Sequence, residues 1–204
     1  MTDQQLLTSL LAERSSKKGH FTLASGKESD FYIDARLTTM SPDGLAVIGR
    51  LGLSVLRESG WHVDAVGGLT LGADPISYAI SYASADSEKP LRAFTVRKEA
   101  KTHGTGKAIE GPFQANDHIV VIEDVITTGG SALRAIEAVR AAGGTVSGVL
   151  AVVDRQEGGR EKLESAGVPV IALATAGEIM AVLEKRTAQQ ESPSASIRDR
   201  RPTA

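Results

Sequence analysis

The chain reads as an α/β protein: a central, mostly parallel sheet flanked by helices, with a small N-terminal appendage. Three observations predict this. Ile119-Val120-Val121-Ile122 are four consecutive apolar residues, too short for a spanning helix and suited to a strand buried on both faces of a parallel sheet. Other short apolar runs alternate with stretches whose apolar residues recur at helical spacing, the order that builds strands joined by crossover helices. The 204 residues suffice for one sizeable core and a small addition. The expected organisation is residues 1–40 as N-terminal helix and appendage, 41–188 as the α/β core and 189–204 as a disordered tail.

Leu6, Leu7, Leu10 and Leu11 lie at i, i+3, i+4 spacing and predict a short amphipathic helix, closed by Gly19 after Lys17-Lys18. Residues 21–36 read as two β segments around a polar turn at 25–29. Ser41-Pro42 starts the next helix, with Ser as N-cap and Pro at the first position, and Leu45, Ile48, Leu51, Val55 and Leu56 line its inner face up to Gly60. Residues 63–66 form the first buried strand. It runs into Gly67-Gly68-Leu69-Thr70-Leu71-Gly72, where so many glycines imply a sharp turn or a close approach to a ligand; a plain βα turn is the alternative. A helix follows over 75–85 and a strand over 91–96.

Residues 97–112 show no sustained apolar period and carry four Lys or Arg and three Gly. Such a length is unusual for a connection in a compact domain, and a mobile cationic lid is the sharper reading beside a solvated loop. The 119–122 strand ends in Glu123 and Asp124. After Val125 and Ile126 come Thr127-Thr128-Gly129-Gly130-Ser131 and then a helix in which Ala132, Ile136 and Val139 recur. Gly143-Gly144 ends it. A strand at 145–153 leads into the charged, glycine-rich 154–159, a last strand spans 168–173, and a last helix at 176–185 turns Ile179, Met180 and Leu183 inward. From 189 the polar composition predicts disorder.

The net charge of −2 and 4% aromatic residues give neither a basic footprint nor stacking platforms for nucleic acid, so a small molecule is the expected partner. No cysteine is present, which excludes disulfides and thiolate chemistry. A polar N-terminus and the lack of a membrane-length apolar run point to a soluble, cytoplasmic protein with no membrane partner. His20, His62 and His118 sit beside turns or strand ends with no partner evident in the sequence.

A Thr/Gly/Ser loop between strand and helix offers free backbone N–H groups, hydroxyls and the positive end of a helix to one anion. Glu123 and Asp124 would repel a phosphate, yet they accept from sugar hydroxyls or hold a divalent cation. A phosphorylated sugar satisfies both. The pattern lacks the Gly-Lys-Ser/Thr of a Walker loop and the G-x-G-x-x-G of a dinucleotide site. An ordinary βα turn is the plainer reading, but the compound pattern of apolar strand, acidic pair, two apolar residues and Thr-Thr-Gly-Gly-Ser is long. It resembles the 5-phosphoribosyl-1-pyrophosphate (PRPP) motif of type I phosphoribosyltransferases.

Over residues 21–159 the chain is similar to the orotate branch of that family. Leu23-Ala24-Ser25-Gly26-Lys27-Glu28-Ser29 and Tyr32-Ile33-Asp34 resemble its hood over the base, Arg97-Lys98-Glu99-Ala100-Lys101-Thr102-His103-Gly104 its catalytic lid, and Asp154-Arg155-Gln156 its orotate-anchoring strand end. The resemblance implies a type I phosphoribosyltransferase fold and a pentosyl transfer in pyrimidine biosynthesis, from PRPP to orotate with release of pyrophosphate. It implies that Lys101, His103, Lys98, Arg97 and Asp124 are catalytic. PRPP would be held by Glu123, Asp124, Val125, Ile126, Thr127, Thr128, Gly129, Gly130 and Ser131, with the lid cations and with Thr70 and Leu71. Orotate would be held by Thr127, Arg155, Lys27, Tyr32 and Ile33. Magnesium, held mostly by substrate oxygens with Asp124 as the candidate protein contact, and a homodimer sharing its lids are implied as well. Many members carry lysine where this chain has Ala24 and Leu71. A PRPP-binding regulator on the same fold, or a transferase for another base, are the competing readings; the lid residues Lys98, Lys101 and His103 argue against the regulator, and Arg155 argues for a carboxylated base.

Overall fold

The computed structural model describes residues 1–22, 28–99 and 108–191. Thr2 caps helix α1 (Asp3–Leu10) reciprocally: its hydroxyl accepts from the Gln5 amide, and the Gln5 side chain accepts from the Thr2 amide. A π turn (Leu11–Ser15) continues α1 and buries Leu11 and Ala12 beside Leu7 and Leu10. The helix does not reach Gly19. Lys17, Lys18 and Gly19 belong to strand β1 (Ser16–Thr22), which pairs antiparallel with β2 (Glu28–Ile33), Lys17 opposite Tyr32 and Lys18 opposite Phe31. Local sequence favoured a helix C-terminus there, and cross-strand pairing overrides it. Of the expected turn at 25–29, residues 28 and 29 are strand and the others lie outside the described residues. His20 finds partners across this hairpin in Glu28 and Asp30.

After the short α2 (Arg36–Thr39), Ser41 caps α3 (Pro42–Glu58) by accepting from the Gly44 amide at 3.2 Å. Its buried face is Val47, Ile48, Leu53 and Leu56; Leu45, Leu51 and Val55 lie at its margins. Strand β3 (Ala65–Leu69) starts later than expected and takes in both glycines read as loop. Helix α4 (Ala73–Ala83), β4 (Arg92–Val96) and the two-residue β5 (Ile109–Glu110) follow. Then come β6 (His118–Ile126), α5 (Gly130–Ala141), β7 (Thr145–Asp154), α6 (Gly159–Ser165), β8 (Val170–Thr175) and α7 (Ala176–Glu191). Helix α6 was not expected from sequence. Helix α7 runs past 185 into the segment expected to be a tail, and 192–204 lie outside the described residues.

The six-stranded sheet has the order β5-β4-β3-β6-β7-β8, parallel except for β5. Strand alternation divides the core. Val120 and Ile122 face α1, α3, α4 and α7, whereas Ile119 and Val121 face the side covered by α5 and α6. From β3 the chain moves outward to β4, then returns to lay β6 on the other side of β3. This is the topological switch point, and the crevice beyond the strand ends there is where open α/β sheets bind ligands. At the opposite edge the His62 and His118 rings meet edge-on, 5.3 Å between centroids.

Candidate active site

Strand β6 does not stop before its carboxylates. It continues to Ile126, with Glu123 opposite Ala151 and Ile126 opposite Asp154 of β7. Glu123 is therefore held within the sheet, 7% exposed. Burial, reinforced by the neighbouring Asp124 charge and opposed by Arg134, pushes its carboxyl up to about 8. Burial also raises Asp124, against the opposing effect of the Val125 amide, which donates to Asp124 Oδ1 at 2.8 Å.

The loop at Thr127, Thr128 and Gly129 turns directly into α5. Gly129, the N-cap, has φ +73, which a side chain would make costly, and a Cβ there would lie 3.0 Å from the Gly159 carbonyl. The loop is thereby seated on the start of α6.

A cavity of about 370 Å³ opens at the switch point. Glu123, Asp124, Val125, Thr127 and Ser131 line one wall. Thr70 and Leu71 reach it from the end of β3, Lys98 from the end of β4, Tyr32 and Ile33 from the hairpin, and Arg155 from the end of β7. Eleven residues predicted from sequence thus meet in one space. Thr128, Gly129 and Gly130 complete the loop between two lining residues. Ile126 does not line the cavity: its side chain is in the core and its carbonyl accepts from the Arg155 amide at 3.0 Å. Arg97 turns away, its Nε 2.8 Å from Glu110 Oε1 across β4 and β5. Lys27, Lys101 and His103 lie outside the described residues.

Arg155 is committed before any ligand arrives. Its side chain is buried; Nε donates to Glu157 at 2.9 Å, and Nη2 donates to the Phe31 carbonyl at 3.2 Å and to Ser29 Oγ at 3.4 Å. It ties the hairpin to the sheet, and its Nη1 group has no hydrogen-bond partner among the described residues. Asp154 is structural, accepting from Arg160 Nε at 2.8 Å and from the Gln156 amide at 2.7 Å.

Asp34, Arg36, Gly72 and Arg134 also line the cavity, and sequence reasoning missed them as site residues. Arg134 was findable, being one helical turn past Ser131. Arg36 grips Asp34 through two bonds of 2.8 and 2.9 Å, which holds the Asp34 carboxyl below its usual range. Gly72 carries the close approach that the glycine-rich turn implied. A Cβ there would stand 2.5 Å from Asp124 Cγ.

Carboxylate oxygens are the donors a magnesium ion prefers. Among the described residues no group of three His, Cys, Asp or Glu gathers, so Asp124 and Glu123 could supply one or two donors and substrate oxygens and water the rest. The arrangement offers an anion cradle, hydroxyl acceptors and a guanidinium within one cavity. Among the described residues no helix is long and apolar enough to cross a membrane.

No family model matches the chain. It is 48% identical over 184 residues to an orotate phosphoribosyltransferase of Synechocystis sp., covering 90% of this chain and 91% of the relative. It is 44% identical over 183 residues to that of Aquifex aeolicus, covering 88% and 99%. The solved structure of Mycobacterium tuberculosis orotate phosphoribosyltransferase with PRPP superposes with a TM-score of 0.72 at 36% identity, covering 88% of this chain and 99% of that one.

Proposed function

The chain belongs to the orotate phosphoribosyltransferase family, and from that premise we propose how its residues divide the transfer of 5-phosphoribose from PRPP to orotate. Orotate N1 forms a bond to C1' of the ribose as the C1'–O bond to pyrophosphate breaks. Positive charge develops on the ring and negative charge on the leaving group, so fixed groups of matching sign lower the barrier.

The loop from Thr127 to Ser131, with the N-terminus of α5 behind it, binds the 5'-phosphate. Glu123 and Asp124 accept from the 2'- and 3'-hydroxyls; a carboxyl retains acceptor capacity even when protonated, so the high pKa of Glu123 does not remove this role. Asp124 is the residue that would hold magnesium, which when bound would supply positive charge against the pyrophosphate. Lys98 faces the pyrophosphate from the cavity wall, and Arg97, Lys101 and His103 are assigned to the same leaving group, whose developing negative charge they would stabilise. The backbone at Thr70 and Leu71 meets the same group. Arg155 offers Nη1 to the orotate carboxylate beside Tyr32 and Ile33, and Lys27 is assigned to orotate as well.

The convergence of the acidic pair, the anion loop and Arg155 on one cavity at the switch point carries this reading. A homodimer sharing its lids is part of it. Leu37, Met40, Leu71, Tyr78 and Tyr82 are exposed large apolar residues beside the site and along α4, which supports self-association there. A cytoplasmic setting accords with the lack of cysteine. The test is loss of orotate absorbance with PRPP and magnesium, run beside adenine, hypoxanthine and uracil. Turnover of a purine or uracil in preference to orotate would reject the assignment of Arg155.

A further inference from the structure

Two threonines and one carboxylate hold the turn that faces Asp124. Thr70, the residue after β3, gives its amide to the Val96 carbonyl at 2.8 Å and its hydroxyl to Asp74 Oδ2 at 2.7 Å. Thr95, on the neighbouring β4, gives its hydroxyl to Asp74 Oδ1 at 2.8 Å. Tyr78, one helical turn beyond Asp74 on α4, lies 3.0 Å from Thr95 Oγ1. Since the Thr95 proton is directed to Asp74, the tyrosine hydroxyl donates, and the chain runs from Tyr78 through Thr95 to Asp74.

Asp74 occupies the first turn of α4, where an acidic residue commonly caps helix amides. Here the N-cap is Gly72 without a side-chain cap bond, and both oxygens of Asp74 accept threonine hydroxyls instead. The carboxylate serves the turn and the adjacent strand. Between Thr70 and Asp74 lie Leu71 and Gly72, which line the cavity, and Gly72 packs against the Asp124 carboxylate with no room for a Cβ. The turn brings no cationic side chain to the cavity: Leu71, at 55% exposed, stands there. Such a turn meets an anion through backbone groups, whose effect depends on where the turn is held.

We propose that Asp74, together with Thr95, is a positioning residue for phosphoribosyl transfer, setting the depth of the turn at Thr70, Leu71 and Gly72 against Asp124 and so the seat of the pyrophosphate end of PRPP. This rests on the phosphoribosyl-transfer reading of the site. Losing a hydrogen-bonded anchor that places a binding turn is expected to raise the KM for PRPP about tenfold in Asp74→Ala, with the KM for orotate within about twofold of wild type. Thr95→Val shifts the same constant by a smaller factor, and Thr95→Ser, which keeps the hydroxyl, restores it.

The experiment is steady-state kinetics on each variant with PRPP and orotate varied separately, beside a thermal melt. A folded Asp74→Ala enzyme with an unchanged KM for PRPP, or with equal losses for both substrates, overturns the proposal. Where Asp74→Ala does not fold, the Thr95 pair decides: identical constants for Val and Ser overturn it, and rescue by Ser supports it. An active wild type with insensitive variants sinks only the positioning role, whereas a wild type inactive on orotate and PRPP sinks the reading beneath it.

Discussion

Glu123→Gln should stabilise the ligand-free protein at alkaline pH and leave it nearly unchanged at acid pH. The Glu123 carboxyl lies within β6, 7% exposed, and is raised from an ordinary 4.5 to about 8 chiefly by burial. Its folded-state pKa exceeds its unfolded one, so between those values the folded state binds more protons, and stability falls as pH rises. The cost is absent below about pH 4.5 and complete above about pH 8. That gap sets a ceiling of about 5 kcal/mol, at roughly 1.4 kcal/mol per tenfold change in proton affinity. Solvent at the cavity mouth lowers the realised cost to about 2–3 kcal/mol. For a protein of this size that is about 5–10 °C in Tm. Glutamine keeps the shape and one acceptor and carries no charge. The assay is a series of melts from about pH 5 to about pH 9 without ligand, spanning most of the window between the two pKa values. The two curves should nearly coincide at the acid end and diverge steadily towards the alkaline end, where the glutamine variant is the more stable. Asp124, raised by burial too, leaves the variant a residual slope of the same sign. Parallel curves would refute the reasoning.

Gly72→Ala, whose Cβ would meet Asp124 Cγ at 2.5 Å, should lower kcat/KM for PRPP about a hundredfold while costing only about 1–3 kcal/mol in a denaturant titration, because the strain falls on the site. Arg155→Ala should raise the KM for orotate selectively, and Arg155→Lys should not rescue it, since one ammonium cannot replace the fork that binds Glu157, the Phe31 carbonyl and a carboxylate together; equal effects on both substrates would count against the role. Lys101→Ala should lower turnover about 10²-fold with little change in PRPP affinity. If lids are shared in a homodimer, mixing Lys101→Ala with Arg155→Ala subunits should restore about a quarter of the sites, and no recovery after verified exchange would reject the sharing.

What the sequence made legible followed from signals with one physical meaning. Four consecutive apolar residues suited an inner strand, Ser41-Pro42 suited a helix start, and the Thr-Thr-Gly-Gly-Ser loop kept its place between β6 and α5. Signals with two meanings misled. Gly67 and Gly68 read as loop, yet they pair within β3, and they are glycine there because a Cβ would strike the Phe94 or Ile122 carbonyl, at 2.3 and 2.1 Å. Lys17-Lys18-Gly19 read as a helix end and is strand, because its pairing with residues 31 and 32 is non-local. Helix α6 buries little apolar surface beyond Leu163 and follows two glycines, so its pattern was too weak to see. Asp34 and Arg36 reach the cavity only through the hairpin's return to the sheet, which no local pattern encodes.

The strand boundary matters most for function. Had β6 ended before Glu123, the acidic pair would sit in a solvated loop and titrate as ordinary carboxylates. Because β6 runs on to Ile126, the sheet carries Glu123 into a low-dielectric position at the edge of the cavity. The ligand-free protein bears the cost of that placement. A ligand whose hydroxyls bond to the pair, accompanied by a cation that favours their ionised form, offsets it. PRPP with magnesium should therefore raise the melting temperature more at about pH 9 than at about pH 6, and Glu123→Gln should remove most of that difference. A ligand-induced stabilisation independent of pH would mean that the buried carboxyl does not take part in binding.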